Sequence, residues 1–262
     1  MKYLHALIWP ALIAGIVAGL ALSVVQQFTV TPIILEAETY EVSDQGDATH
    51  EEGEHGHSDG HTHSHGESEG WAPTDGFERM FYTYAVNMLL GFGYGLILLV
   101  VMTLRQVSQP EPSRTGQNSR KMWLNGLWWG LAGYAVFQLA PALGLPPALP
   151  GKVAANIEAR QIWWIVCVLL TAVGLAYLVF AGRNWYRVLG VILLLVPHAI
   201  GAPSSPQDQG LVPQELTSLF IWVSLLTSLL FWIILGLVAT VSAQYFIKDL
   251  GNSDLQGSLG NQ

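Results

Sequence analysis

Five long apolar stretches that carry no Asp, Glu, Lys or Arg dominate the chain. They cover residues 4–25, 81–104, 124–143, 162–181 and 216–246. A helix needs about 20 apolar residues to cross the hydrocarbon of a bilayer. A sixth stretch, 185–200, is shorter, and Pro197 and His198 interrupt its end. We therefore expect an all-α polytopic membrane protein with about six transmembrane helices, or five if the sixth stretch does not cross.

The composition supports a membrane location and limits the classes of function that the chain can have. Charged residues make up 11% of the 262 residues, whereas soluble domains carry about 25%. The single cysteine, Cys167, excludes an intrachain disulfide and any multi-cysteine metal site. No nucleotide-binding loop or hydrolase motif occurs in the sequence. We expect neither enzymatic activity nor a tightly bound cofactor.

Basic residues concentrate in cytoplasmic loops, so their distribution predicts the topology. The connection 105–122 carries four of the 11 Lys and Arg residues and is assigned to the inside. Six crossings then place eight basic residues inside and three outside, with both termini cytoplasmic. Five crossings move Lys248 outside and make the split seven to four. The first stretch resembles a signal peptide, but it is too long and lacks a clear cleavage site, so we interpret it as an uncleaved span.

This topology divides the chain into four parts. They are a first span at 1–28, an acidic external loop at 29–79, a helical bundle at 80–247 and a cytoplasmic tail at 248–262. The loop holds 13 of the 19 carboxylates and one basic residue, Arg79. Residues 36–76 contain few large apolar side chains, which predicts disorder. So acidic a segment makes nucleic acid an unexpected partner.

Six histidines fall within sixteen residues of the acidic loop: His50, His55, His57, His61, His63 and His65. In an extended chain alternate side chains point the same way, so neighbouring imidazoles can close on one ion. Neutral imidazole binds divalent transition metals, and the surrounding carboxylates attract cations. The cluster predicts metal capture. A solvated spacer or a pH sensor would show the same composition.

Polar residues also recur at the predicted outer ends of the spans. His198 ends the fifth span, and Glu215 precedes the last. Glu36 and Glu78 flank the acidic loop. Polar groups at membrane depth are costly and often mark ion pathways. These four residues are the candidate path ligands, and helix capping or interfacial polarity is the alternative explanation.

Three small-residue motifs predict close helix contacts: Gly15–Gly19, Gly91–Gly95 and Gly126–Gly130, each at a spacing of four. Prolines end or disturb helices, so we expect Thr31-Pro32 to end the first span. The prolines at 141–146 and 197–203 should act likewise.

The chain resembles the CbtA family, the predicted cobalt transporters of bacteria. The segments that carry the resemblance are VVQQF at 24–28, TP at 31–32, EAE at 36–38, WAPTDGFER at 71–79, LAPALGLPP at 139–147, RQIWW at 160–164, PHAIGAP at 197–203 and VPQEL at 212–216. The resemblance implies the bacterial inner membrane, a link to cobalamin synthesis and a small histidine-containing membrane partner of the CbtB type. It also implies five spans, one fewer than the apolar stretches predict.

We therefore expect a membrane subunit that transports a divalent metal, cobalt or nickel, as its substrate. A membrane chaperone or sensor that binds metal without moving it is the alternative, favoured by the scarcity of charge inside the spans. An assembly factor for a membrane enzyme would make the histidines incidental.

Reporter fusions at Asp59, Pro112 and Gln262 test the topology. The basic-residue bias predicts an external reporter at Asp59 and cytoplasmic reporters at Pro112 and Gln262. An external reporter at Gln262 would remove the sixth crossing. An external reporter at Pro112 would reverse the whole arrangement.

Overall fold

The computed structural model describes residues 2–47, 73–74, 76–107, 119–150, 155–204 and 212–259, and regular structure in these ranges is entirely helical. The helices are α1 (Lys2–Asp47), α2 (Phe77–Val107), α3, α4 (Ile157–Phe180), α5 (Asn184–Ile200) and α6 (Gln214–Leu259). Helix α3 joins Ser119–Tyr134, a π-helical turn Ala135–Leu139 and a last short turn Ala140–Ala142. The predicted all-α fold is confirmed, and the described residues form six helices.

Four of these helices contain segments long and apolar enough to cross a membrane. They are Leu7–Tyr40, Phe77–Arg105, Ile157–Phe180 and Gln214–Phe246. Helices satisfy their own backbone hydrogen bonds, which hydrocarbon requires of a spanning segment. Helix α5 is apolar but has 17 residues, about 26 Å at 1.5 Å per residue. Its crossing remains the prediction that the Gln262 fusion tests.

Two helix groups make up the bundle. Helix α1 packs between α2 and α6, and α6 also packs against α3. Helices α4 and α5 form a hairpin that meets the other helices at the π turn and last turn of α3. The main core lies around the small face of α1, formed by Ala11, Ala14 and Ala18, which contacts Leu99 of α2 and Leu235 of α6.

The three predicted glycine motifs are confirmed as sites of close helix packing. A Cβ on Gly91 would lie 2.7 Å from the carbonyl oxygen of Gly15, so the backbones of α1 and α2 touch there. Gly126 and Gly130 of α3 meet Gly236 of α6 in the same way. The hairpin repeats the arrangement, with a Cβ on Gly190 lying 2.7 Å from the carbonyl oxygen of Gly174.

Proline does not end the first helix, so that expectation is wrong. Helix α1 continues through Pro32 to Asp47. Residues 36–47 are therefore helical, and the expectation that all of 36–76 is disordered is wrong for them. Pro32 is exposed, so its ring meets no neighbouring helix, and the carbonyl it leaves unbonded belongs to Phe28 on the same exposed side.

Helix α5 likewise passes through Pro197 and ends at Ile200. Gly201, with φ +86°, terminates it in a left-handed conformation that suits glycine. Helix α3 stops one residue after Pro141, at Ala142.

Gly91→Ala and Gly93→Ala form a matched pair that tests the α1–α2 contact. The new methyl group at position 91 would press on the backbone of Gly15, whereas nothing lies within 4 Å of a Cβ at Gly93. We expect Gly91→Ala to lower the free energy of unfolding by about 1–3 kcal/mol. Gly93→Ala should leave it unchanged or slightly raised.

Unfolding by denaturing detergent in mixed micelles, followed by circular dichroism, measures both variants. Equal stability of the two would show that the backbones of α1 and α2 do not touch at Gly91.

Candidate functional site

The structure describes all four predicted path ligands, and they lie toward one end of the bundle. They are Glu36, Glu78, His198 and Glu215. At this end α3 and α5 finish and α2, α4 and α6 begin, and we call it the His198 end. Helix α1 runs past it. The six histidines from His50 to His65 lie outside the described residues, so metal capture by them stays a prediction.

An ion pair joins α1 to α2 at this end. The guanidinium of Arg79 donates to both carboxylate oxygens of Glu38, at 2.6 and 3.3 Å, and each side chain is about one-third exposed. This forked geometry fixes the two helices in register. Glu36, two residues earlier on α1, is exposed and lies on a different face.

The carboxylate of Glu78 closes the loop that precedes α2. The backbone N–H and the hydroxyl of Thr74 both donate to Glu78 Oε2, at 3.1 and 2.5 Å. Both bonds go to one oxygen, which leaves Oε1 as the atom for an incoming cation.

Deeper in the bundle, three uncharged polar side chains form a layer between α1 and α2. Asn87 Nδ2 donates to Ser23 Oγ at 3.0 Å and to Gln26 Oε1 at 2.7 Å. Ser23 in turn donates to the carbonyl of Gly19. Asn87 and Ser23 are buried within otherwise apolar stretches.

His198 packs against an aromatic ring. Its ring lies edge-on to Trp163, with centroids 6.1 Å apart. The indole N–H of Trp163 donates to the carbonyl of Pro197, which also accepts the N–H of Gly201. The carbonyl of Pro197 is therefore occupied and not free to bind an ion. The carbonyl that its missing N–H leaves without a helical partner is that of Leu193, four residues earlier.

Glu215 lies in the first turn of α6 and is exposed. The next residue, Leu216, belongs to a small core with Ala37 and Ile33 of α1. Glu215 and Glu36 therefore lie beside the same α1–α6 contact, one residue from its buried members. His198 belongs to the α4–α5 hairpin instead.

The described residues contain no group of three His, Cys, Asp or Glu side chains close enough to hold a metal ion. The structure therefore brings Glu36 and Glu215 to one contact and does not gather them with His198 and Glu78 into a three-ligand cluster. Joint metal binding by these four residues stays a prediction.

Sequence reasoning did not select Asn87, Ser23 or Trp163. The available signal for Asn87 was a single amide inside the apolar stretch 81–104, because polar groups inside membranes are rare and carry a role. Trp163 gave no such signal, since tryptophans near span ends are ordinarily interfacial anchors.

Asn87→Leu should destabilise the bundle because it removes the two hydrogen bonds that Asn87 donates to Ser23 and Gln26 of α1. The carbonyl oxygen of Gln26 is then left without a donor. Interhelical hydrogen bonds in membranes contribute about 0.6–1.7 kcal/mol each, so we expect a loss of that order. Asn125→Leu is the control, since Asn125 of α3 makes no hydrogen bond with any described residue through its side chain.

Detergent-induced unfolding of both variants gives the comparison. If Asn87→Leu is as stable as the parent while Asn125→Leu is not, the polar layer does not hold α1 to α2.

Comparison with known proteins places these features in one family. The family described as a probable cobalt transporter subunit, CbtA, matches residues 4–244. No curated protein and no solved structure matches the chain. The matched region runs from the start of α1 into the last part of α6 and so contains every residue of the candidate site. The chain belongs to the CbtA family of probable cobalt transporter subunits.

Proposed function

We propose that this chain is the membrane subunit through which divalent cobalt, or nickel, enters the cell. The external histidines at 50–65 capture the ion, and the His198 end passes it between the helices. The family match over residues 4–244 is the observation that carries this proposal. We place the chain in the bacterial inner membrane with both termini in the cytoplasm.

The first step of the path is argued from the carboxylates at the α1–α6 contact. Glu36 and Glu215 are both exposed and make no ion pair with a described residue. Glu38 is held by Arg79 and is a poorer ligand. Carboxylate with imidazole binds Co(II) or Ni(II) without the tight hold of thiolates, which suits release.

The second step uses the polar layer. Gln26 lies about 15 Å inward of Glu36 along α1, and Asn87 of α2 bonds to it there. Asn87 directs its NH₂ group to Ser23 and Gln26, so its carbonyl oxygen remains available to a hydrated dication. Oxygen ligands of this kind hold such an ion weakly.

The membrane potential can drive inward movement. One charge crossing 100 mV gains about 2.3 kcal/mol, and a dication gains about twice that. No nucleotide-binding motif in the sequence offers another source of energy. We also propose a small histidine-containing membrane partner of the CbtB type, which would add histidine ligands.

A membrane chaperone or sensor is the second candidate. The observation that favours it is the lack of a three-ligand metal cluster among the described residues. In that case the histidines bind the ion, and the helices only anchor them.

Uptake of radioactive cobalt into proteoliposomes, with and without the partner, separates the two candidates. Accumulation that depends on an inside-negative potential supports transport. Metal that stays bound to the protein and never enters the lumen supports the chaperone.

Glu215→Gln and His198→Ala should each abolish most cobalt uptake, since each removes a ligand from the path. Glu158→Gln is the matched control for Glu215→Gln, because Glu158 is also an exposed carboxylate in the first turn of an apolar helix. It should transport normally. Deleting residues 50–65 should raise the cobalt concentration needed for half-maximal uptake more than it lowers the maximal rate.

Membrane insertion of each variant is checked by extraction and gel filtration. If Glu215→Gln and His198→Ala both transport like the parent, the path does not run through the His198 end.

A further inference from the structure

A cleft of 680 Å³ lies between the end of α3 and the start of α4, away from the carboxylates of the proposed metal path. The π-helical turn of α3 forms one wall and the first turns of α4 form the other. Its main lining residues are Phe137, Gln138, Pro147, Arg160, Gln161 and Trp164. A π turn inside an α-helix often marks a functional position, because the wider turn redirects side chains.

Arg160 gives the cleft its charge. Its side chain is half-buried, and its guanidinium makes no hydrogen bond or ion pair with any described residue. The nearest carboxylate in sequence, Glu158, does not line the cleft, since residues two apart lie on different faces of a helix. The amides of Gln138 and Gln161 line it and are likewise without a partner among described residues.

A half-buried, unpaired guanidinium favours an anion. Its planar fork of N–H donors matches the oxygens of a phosphate, and two amides can donate to the same group. A divalent cation would be repelled, so this cleft is distinct from the proposed metal path and does not depend on it.

The polar and apolar surroundings of Arg160 match the headgroup and the acyl chains of a phospholipid. Arg160 is in the first turn of α4, where the apolar helix begins. Ile165 lines the cleft one and a half turns further along α4 and is half exposed to the surrounding hydrocarbon. Ile162 on the same stretch is also exposed. A headgroup phosphate on Arg160 would leave an acyl chain beside these isoleucines, whereas a free phosphate would use only the polar half.

We propose that this cleft is a binding site for one anionic phospholipid, with its phosphate on Arg160 between Gln138 and Gln161. A net negative headgroup is favoured over a zwitterionic one because the described lining residues of the cleft carry one positive charge and no acidic group. The bound lipid bridges the α4–α5 hairpin to α3, against which the hairpin packs.

Native mass spectrometry of the delipidated full chain in detergent, titrated with phosphatidylglycerol, tests the site. We expect one tightly held lipid in the parent protein and about ten-fold weaker binding in Arg160→Gln. Arg160→Lys should be intermediate, because it keeps the charge and loses the fork. Arg183→Gln, which removes an exposed arginine of the same hairpin, should bind like the parent.

Two further arms identify the ligand. Phosphatidylcholine should bind more weakly than phosphatidylglycerol, and a large excess of inorganic phosphate should not displace the lipid. Complete displacement by phosphate would show a soluble-anion site and overturn the assignment. Equal lipid retention in Arg160→Gln and Arg183→Gln would overturn it as well. If Arg160→Gln fails to fold, Gln138→Ala decides, with several-fold weaker binding expected and unchanged binding refuting the site.

Discussion

The contact of backbone against backbone at paired glycines is the interaction on which the bundle depends. Lipid tails are as apolar as leucine, so helices in a bilayer gain little from burying apolar side chains against each other. They gain from close van der Waals contact, which glycine permits because it has no Cβ. Gly15 with Gly91, Gly130 with Gly236 and Gly174 with Gly190 supply that contact in three helix pairs.

The same glycines set the register of the polar groups. With Gly15 against Gly91, antiparallel α1 and α2 bring Ser23 opposite Asn87 and, further along, Glu38 opposite Arg79. A shift of one turn would separate both pairs and leave an amide unpaired in hydrocarbon, which is costly. The polar contacts therefore specify the alignment that the glycines make possible.

Several features of this fold could be predicted from the sequence because they depend only on local pattern. Apolar length revealed the helices, and the four-residue spacing of Gly126 and Gly130 revealed a contact face. Gly174, Gly190 and Gly236 have no such spacing within their own helices, so their pairing depends on tertiary register. Pro32 misled the prediction because a proline inside a helix removes one hydrogen bond and crowds the carbonyl four residues earlier, and the long flanking turns of α1 tolerate that cost.

The candidate site could be predicted from the sequence to a similar extent. Charged residues at helix ends are visible in the sequence, and Glu36 and Glu215 do lie beside one contact. The pairs Glu38–Arg79 and Gln26–Asn87 were not visible in the sequence, because their members lie 41 and 61 positions apart.

His198 and Glu215 lie in different helix groups joined by a connection that starts at Gly201. A metal ion held by both would therefore tie the α4–α5 hairpin to α6, a pair of elements with little other contact among described residues.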